Sequence, residues 1–306
     1  NGRMKDADAK EVSKKAKQRG TEQLGTLDAG NHFLEIQYVD NIFDEKTSKV
    51  FGIEKKNQIC VMIHCGSRGL GHQVCSDFLR EMEDAYPDVI EKLPEKDLIY
   101  APANSELAKR YYKAMCASAN FAWANRQLIA YHVRLAFKEI FPNSVLKPVY
   151  DVAHNIAKKE THTIDGKKRL VYLHRKGATR AFGAGNEELP EKYKKFGQPV
   201  LIPGSMGTSS YVLLGNNKSM EESFGSTAHG SGRVMSRHAA LASFRGEDVK
   251  KDLEKNHIYI KSASLKGIAE EAPQVYKNVD EVVDVSDKAG IASTVVRLKP
   301  LGVIKG

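Results

Sequence analysis

Long apolar runs are missing from this 306-residue chain. No stretch approaches the roughly 18 consecutive apolar residues that a membrane helix needs, so no membrane partner is expected. Cysteine is scarce: Cys60, Cys65, Cys75 and Cys116 show no CxxC pairing and no disulfide-like framework. A reducing compartment, cytoplasmic or nuclear, is the simpler expectation. The beginning of the chain lacks the charged-then-apolar layout of a secretory leader and enters an amphipathic helix directly, which reads as a chain cut from something longer. No glycine loop carries Gly-Lys-Ser/Thr at Walker A spacing and none opens a Rossmann unit, so two common nucleotide-binding solutions are excluded. Aromatic stacking platforms of the RNA-recognition type are also absent, which removes any argument for sequence-specific base reading. There is no internal repeat, low-complexity tract or clear linker.

What is present is a globular composition, 41% hydrophobic and 28% charged, with a formal net charge of +9. That bias suits a polyanionic partner or a merely basic solvated surface. Asp6 to Arg19 reads as a basic surface helix with Val12 and Ala16 on one side. Phe33 to Val39 alternates, Leu34, Ile36 and Tyr38 opposite Glu35 and Gln37, which predicts a half-buried strand leaving from Asn31-His32. Ile59 to His64 is a second apolar strand, followed by the loop Gly66 to Gly71 and a helix to about Met82. Apolar residues from Leu107 to Phe137 suit a long helix, broken near Asn120 to Asn125. Val149 to Ala153 predicts a short buried strand leading into His154-Asn155, and Asp165-Gly166 predicts a hairpin. Short strands near Val200 and Tyr211, a helix over Gly232 to Phe244 and terminal strands over Ser293 to Ile304 complete the pattern. Strands and helices come in runs, so the expected class is α+β, with a mixed or antiparallel sheet core and packed helices.

Four of the ten histidines share a context. His32, His64 and His154 each stand at an end of an apolar strand beside a polar or glycine-rich loop. Singly each suits a satisfied structural role; together they suit a borderline divalent metal. His229 lies in Gly225-Ser-Thr-Ala-His-Gly-Ser-Gly-Arg233, a loop too rich in glycine and hydroxyls to be core. Backbone N–H groups there can approach phosphate, Arg233 can grip it, and His229 can accept a phosphoryl or nucleotidyl group on nitrogen. The plain alternative is a surface loop with an incidental histidine. Gly66 to Gly71, with Ser67 and Arg68, and Pro203 to Ser210, with its hydroxyls and free backbone donors, are two more phosphate-friendly loops. His174 to Arg180, with Lys167, Lys168 and Arg169 nearby, could follow a nucleic-acid backbone or be a solvated hairpin face.

Taken together, Gly30-Asn-His-Phe-Leu-Glu35, His64-x-Gly-Ser-Arg-Gly-Leu-Gly-His72, Asp151-Val-Ala-His-Asn155, His174-Arg-Lys-Gly-Ala-Thr-Arg180 and the His229 loop resemble the RtcB family of RNA ligases, its eukaryotic-type tRNA-splicing members looking nearest. The resemblance runs from about Arg19 to Gly306. It implies an RtcB-like fold in which residues 1–306 form the larger, C-terminal part of one catalytic domain. It also implies an enzyme that joins RNA 3′-phosphate or 2′,3′-cyclic phosphate ends to 5′-hydroxyl ends with GTP and two Mn²⁺ ions, through a histidine-guanylate and an RNA-ppG intermediate. His229 matches the family's nucleophile, and His32, His64 and His154 match metal ligands. Asn31, Glu35, Asn155, Ser205, Met206, Ser210, Gly230, Tyr276 and Lys305 match nucleotide-site residues, and Arg68 and Arg233 match residues that hold RNA phosphates. tRNA exon halves, an archease-like activator and a helicase-containing ligase complex are the implied partners.

Two departures qualify the resemblance. The family's further metal ligands, an aspartate and a cysteine, belong to an N-terminal segment with no counterpart in this chain, and Cys65 does not take that place. Asp28 stands where the family usually has glycine. A fragment of this kind is expected to bind metal weakly and to ligate poorly by itself. The rival readings are a metal-dependent phosphoesterase and a non-catalytic RNA-binding subunit.

Overall fold

The computed structural model describes residues 3–306 and forms two compact units within the stretch read as one domain. The first comprises the described residues up to Asp28 together with Cys65–Val145. It is helical, built from Lys14–Thr21, Arg68–Ala85 and Glu106–Ile140. Leu70, Val74 and Phe78 fall four apart on one helix face and close with Val12, Ala16 and Ala114 into a core, as helical periodicity demands. The first helix begins only at Lys14, because Ser13 Oγ accepts from the Ala16 N–H and so caps it there.

The expected break near Asn120 to Asn125 does not occur: the helix runs unbroken for 35 residues. These asparagines are connectors rather than breakers. Fully buried Asn125 accepts from the backbone N–H groups of Gly25 and Thr26 and donates to the carbonyls of Thr26 and Gly66. Asn120 exchanges two hydrogen bonds with the Met4 backbone.

The second unit, Ala29–His64 with Leu146–Gly306, carries the strands. They are β1 (Phe33–Ile42), β2 (Ile59–His64), β3 (Asn155–Ile164), β4 (Lys167–Lys176), β5 (Ala178–Arg180), β6 (Pro199–Ile202), β7 (Ser210–Gly215), β8 (Ser226–Ala228), β9 (Tyr259–Ser262) and β10 (Ala292–Lys305). The main sheet runs β2-β1-β10-β7-β6, all antiparallel, while β9 pairs in parallel with the far end of β10. The sheet is therefore mixed and the class α+β, as the sequence pattern predicts. The 14-residue β10 has β1 along one edge and β7 then β9 along the other, which makes it the central strand. Val295, Val296, Leu298 and Val303 of β10 enter the largest core cluster with Phe33, Val39 and Phe51.

Three expectations fail, each for a local reason. The alternation in β1 is real, but the polar face is the deeper one: Glu35 and Gln37 are buried beside Phe33 and Val39, while on the apolar face Leu34 is buried and Ile36 and Tyr38 only half-buried. Hydropathy places a polar face outside, whereas here Glu35 lines a cavity and Gln37 packs behind it, donating to Glu35 and Ser210. Val149 to Ala153 forms no strand; Val149 and Tyr150 pack on the core without a sheet partner. The Gly232 to Phe244 helix is confined to Arg237–Ser243, capped by Ser236. Before it the chain is extended, with Arg233 bridged to Tyr276 and the Val234 N–H donating to the Val275 carbonyl.

The predicted hairpin is present. β3 and β4 pair over their whole length, and Asp165 and Gly166 both take positive φ, +51° and +72°, the geometry of a two-residue turn between twisted strands. All four cysteines are free. No helix among the described residues is long and apolar enough to cross a membrane.

Candidate active site

Four strand ends in the second unit bring four histidines together. His64 closes β2 opposite Phe33, so His32, one residue before β1, lies beside it. His154 immediately precedes β3, and His229 immediately follows β8, whose last residue, Ala228, pairs with Ala178. The His32 and His64 rings meet edge to face with centroids 5.5 Å apart, and His64 Nε2 is 3.2 Å from His154 Nε2. His154 and His229 stack at 4.3 Å with 12° between their planes. The arrangement gathers histidines that lie up to 197 positions apart in the sequence.

The His64 and His229 rings border a cavity of about 370 Å³. It is lined by Asn31, Glu35, His64, Asn155, Ser205, Met206, His229, Gly230, Arg233, Tyr276 and Lys305 among the residues singled out from sequence, with Lys176, Gly177, Arg237 and Glu271 in addition. Ser210 stands behind the lining, where its hydroxyl accepts from the Gly204 N–H and from Gln37 Nε2. Arg68 belongs to the other unit; there it pairs with Asp28 and donates to Thr26 Oγ1. The residue that departs from the family pattern, Asp28, is thus the partner of an arginine expected to hold phosphate.

The loop from Pro203 to Ser210 is more self-contained than its composition suggests. Its Gly204, Ser205 and Thr208 N–H groups are not free donors; they go to Ser210 Oγ, Thr208 Oγ1 and the Ser205 carbonyl. A Cβ on Gly204 would sit 2.1 Å from the Ser209 carbonyl oxygen, so only glycine permits this tight turn. Arg175, one of the cations read as a possible nucleic-acid contact, is buried. Its guanidinium spans both oxygens of Glu160 at 2.8 and 2.9 Å and donates to Ser226 Oγ and the Phe224 carbonyl. Arg180 pairs with Glu188 at 2.6 Å and covers the Phe182 ring.

At the far wall, buried Glu271 organises three neighbours. It receives the Tyr276 hydroxyl and Arg233 Nη1, the latter at 3.0 Å, and lies 3.9 Å from Arg237 Nε. Arg233 also donates to the carbonyls of Glu270 and Met235. Glu271 has no flanking motif, so nothing in the sequence distinguishes it from a surface acid on a short helix.

The ionisation pattern follows from burial. Burial first, then the neighbouring His154, His32 and His229, hold His64 well below the ordinary imidazole pKa. Burial also lowers His229, with the Gly177 backbone opposing and Lys176 adding to the shift. Burial pushes Glu35 up to about 8 against the Gln37 hydrogen bond and Lys305, and brings Lys305 down to about 8 against Glu271 and Glu35. At neutral pH His64 and His229 therefore present uncharged, nucleophilic nitrogens to a wall that carries Lys176, Arg233, Arg237 and Lys305.

Neutral imidazoles are the donors a divalent metal selects, and two nitrogens on one ion at metal–nitrogen distances of about 2.1 Å lie roughly 3.0–3.4 Å apart. The His64–His154 separation fits two such positions. No complete three-residue His, Cys, Asp or Glu set converges among the described residues.

The strand-bearing unit is thus a mixed-sheet scaffold whose cavity sets His64 and His229 near Lys176, Arg233, Arg237 and Lys305. The family model described as tRNA-splicing ligase RtcB matches residues 1–306, and the chain belongs to that family. It is 56% identical over 309 residues to the tRNA-splicing ligase RtcB of Archaeoglobus fulgidus, a match covering all of this chain and 64% of the relative. It is 55% identical to that of Nanoarchaeum equitans, over 98% of this chain and 63% of the relative, and 55% identical to that of Pyrococcus abyssi, over 100% and 34%. The chain thus spans less than two thirds of the length of these curated relatives.

Proposed function

We propose that the protein containing this chain is a GTP- and Mn²⁺-dependent RNA ligase acting in tRNA splicing, with His229 as its nucleophile. The observation that carries this reading is His229 itself. It is a half-buried imidazole held neutral at physiological pH, stacked on His154 and facing a cavity whose other wall carries Arg233 and Lys305. A neutral imidazole nitrogen is a competent nucleophile toward phosphorus, and a positively charged wall suits the phosphates of both substrates.

A ring nitrogen of His229 would attack the α-phosphorus of GTP. The bond to pyrophosphate breaks, and GMP remains joined to His229 by an N–P bond. An RNA 3′-phosphate oxygen then takes the guanylate, giving RNA-ppG and restoring His229. Attack by a 5′-hydroxyl on the RNA phosphorus forms the phosphodiester and releases GMP. A 2′,3′-cyclic end is first opened to the 3′-phosphate by water. His32, His64 and His154 would hold manganese, which supplies charge neutralisation and alignment at the phosphates when bound. Tyr276 and Lys305 are assigned to the guanine side, with Asn31, Glu35, Asn155, Ser205, Met206, Ser210 and Gly230 around the nucleotide. RNA with tRNA exon ends, an archease-like activator and a helicase-containing complex are the proposed partners.

The test uses the full-length protein with α-labelled GTP and Mn²⁺. A ligase forms an acid-labile, alkali-stable protein–guanylate and seals 3′-phosphate to 5′-hydroxyl RNA, and His229→Ala abolishes both. Phosphate release from RNA ends with no guanylate would favour a phosphoesterase, and RNA binding with neither reaction a non-catalytic subunit.

A further inference from the structure

The β3–β4 hairpin leaves the cavity rim and carries chemistry that the steps above do not use. Asn155 and Lys176 pair at its root, and both line the cavity. Because side chains alternate along a strand, the cross-strand register divides the ribbon into two faces. The inner face is fastened down: Ile156, Glu160, His162 and Arg175 are buried, with His162 Nε2 3.0 Å from Glu160 and its ring against Phe224. The outer face holds Asn155, Lys159, Thr161, Thr163, Lys168, Leu170, Tyr172, His174 and Lys176, exposed along nearly its whole length. No residue on that face is a carboxylate. The ribbon's acids lie elsewhere: Glu160 is inside on Arg175, and Asp165 is at the turn, 4.0 Å from Arg169.

We infer that this outer face is a docking track for the single-stranded RNA that continues from the end held in the cavity. The inference rests on the RNA-ligase reading. Lys176 to Lys168 spans eight residues, roughly 26 Å at the strand rise, long enough to follow a backbone well past the reacting end. Evenly distributed cations match a phosphate chain, and the Thr161 and Thr163 hydroxyls add hydrogen-bond donors. Tyr172, with Lys159 over its ring at 5.6 Å, and the exposed Leu170 give flat and alkyl surface against which unstacked bases can lie. Nothing on the face reads base identity, so the track is sequence-tolerant. Its root at the cavity wall distinguishes this patch from the general positive charge of the molecule.

Neighbouring residues on opposite faces give the test. In the full-length protein, Thr161→Glu with Lys168→Glu alters the outer face. Lys167→Glu with Arg169→Gln makes the same total charge change on the inner face near the tip, where both residues are exposed. Equilibrium binding of a long single-stranded RNA 3′-phosphate and of a dinucleotide 3′-phosphate is measured across a salt series. The outer pair is expected to weaken long-RNA binding roughly tenfold and to flatten its salt dependence by about one contact. Dinucleotide binding and His229 guanylylation should be unchanged, and the inner pair close to wild type. Equal weakening by both pairs would show a diffuse field rather than a track and overturn the inference. Unchanged long-RNA affinity in the outer pair would also overturn it, and would leave an acidic protein partner as the better match for this face. Failure of the ligase reading appears separately, as a wild-type protein that forms no guanylate.

Discussion

Removing the Glu160 carboxylate should be among the most damaging single changes in the strand-bearing unit. The Glu160 and Arg175 side chains are 3% and 1% exposed, and the pair ties β3 to β4 and, through Ser226 and Phe224, to the chain around β8. In Glu160→Ala the guanidinium stays buried with only a hydroxyl and a carbonyl as partners, and His162 loses its carboxylate. Stranding one member of a buried pair costs about 3–5 kcal/mol. For a unit of this size each kcal/mol corresponds to about 2–4 °C, so the melting temperature should fall by roughly 10 °C. Glu160→Leu with Arg175→Met removes both charges and should return close to wild type. Burial raises the Glu160 carboxyl, but the Arg175 hydrogen bond and charge, with His162 and Arg180, outweigh it and hold the group below its ordinary value. A depressed folded pKa gives stability that is present above the unfolded value and lost as pH falls through the folded one. The wild type should therefore fall below the double variant on acidification. Thermal melts with hydrogen exchange on the hairpin amides measure this; a Glu160→Ala melt within about 2 °C of wild type would refute the reasoning.

Other consequences follow from the same contacts. Asn125→Ala leaves the N–H groups of Gly25 and Thr26 and the Gly66 carbonyl without that partner in the helical unit, at about 3 kcal/mol in total, read as a lower melt or faster proteolysis at Thr26. Glu35, raised to about 8, contributes proton-linked stability that is complete below its unfolded value and lost as pH rises through 8. Glu35→Gln lacks that loss, so its melting temperature should gain on wild type from pH 5 to pH 8, at up to about 1.4 kcal/mol per unit. Lys305 changes in the opposite sense at higher pH, its stability being lost as pH falls toward 8, so the comparison is made variant against wild type. A constant gap between the two melts over this range would contradict a buried, protonated Glu35.

Periodicity made much of this fold legible, and where it misled, a polar side chain was satisfied by something distant. Ile59 to His64 and the Asp165-Gly166 turn are local signals and appear as expected. Asn125 reads as a helix breaker because its partners, Gly25, Thr26 and Gly66, lie 59 to 100 positions away. Glu35 and Gln37 read as a solvent face because hydropathy registers neither the cavity that Glu35 lines nor the buried Glu35 and Ser210 groups that Gln37 meets. His229 and its loop stood out by composition, and His32, His64 and His154 by their strand ends; their convergence needed β1–β2 pairing and β8, which no spacing encodes. Glu271, which holds Tyr276 and Arg233, gave no signal because its role comes entirely from packing.

The most direct test of the central claim is to locate the guanylate. The full-length protein is charged with GTP and Mn²⁺, digested under alkaline conditions that preserve an N–P bond, and mapped by mass spectrometry. The account predicts one GMP per chain, on the peptide carrying His229, and none in His229→Ala. A guanylate on another residue, or labelling that persists without His229, would contradict it.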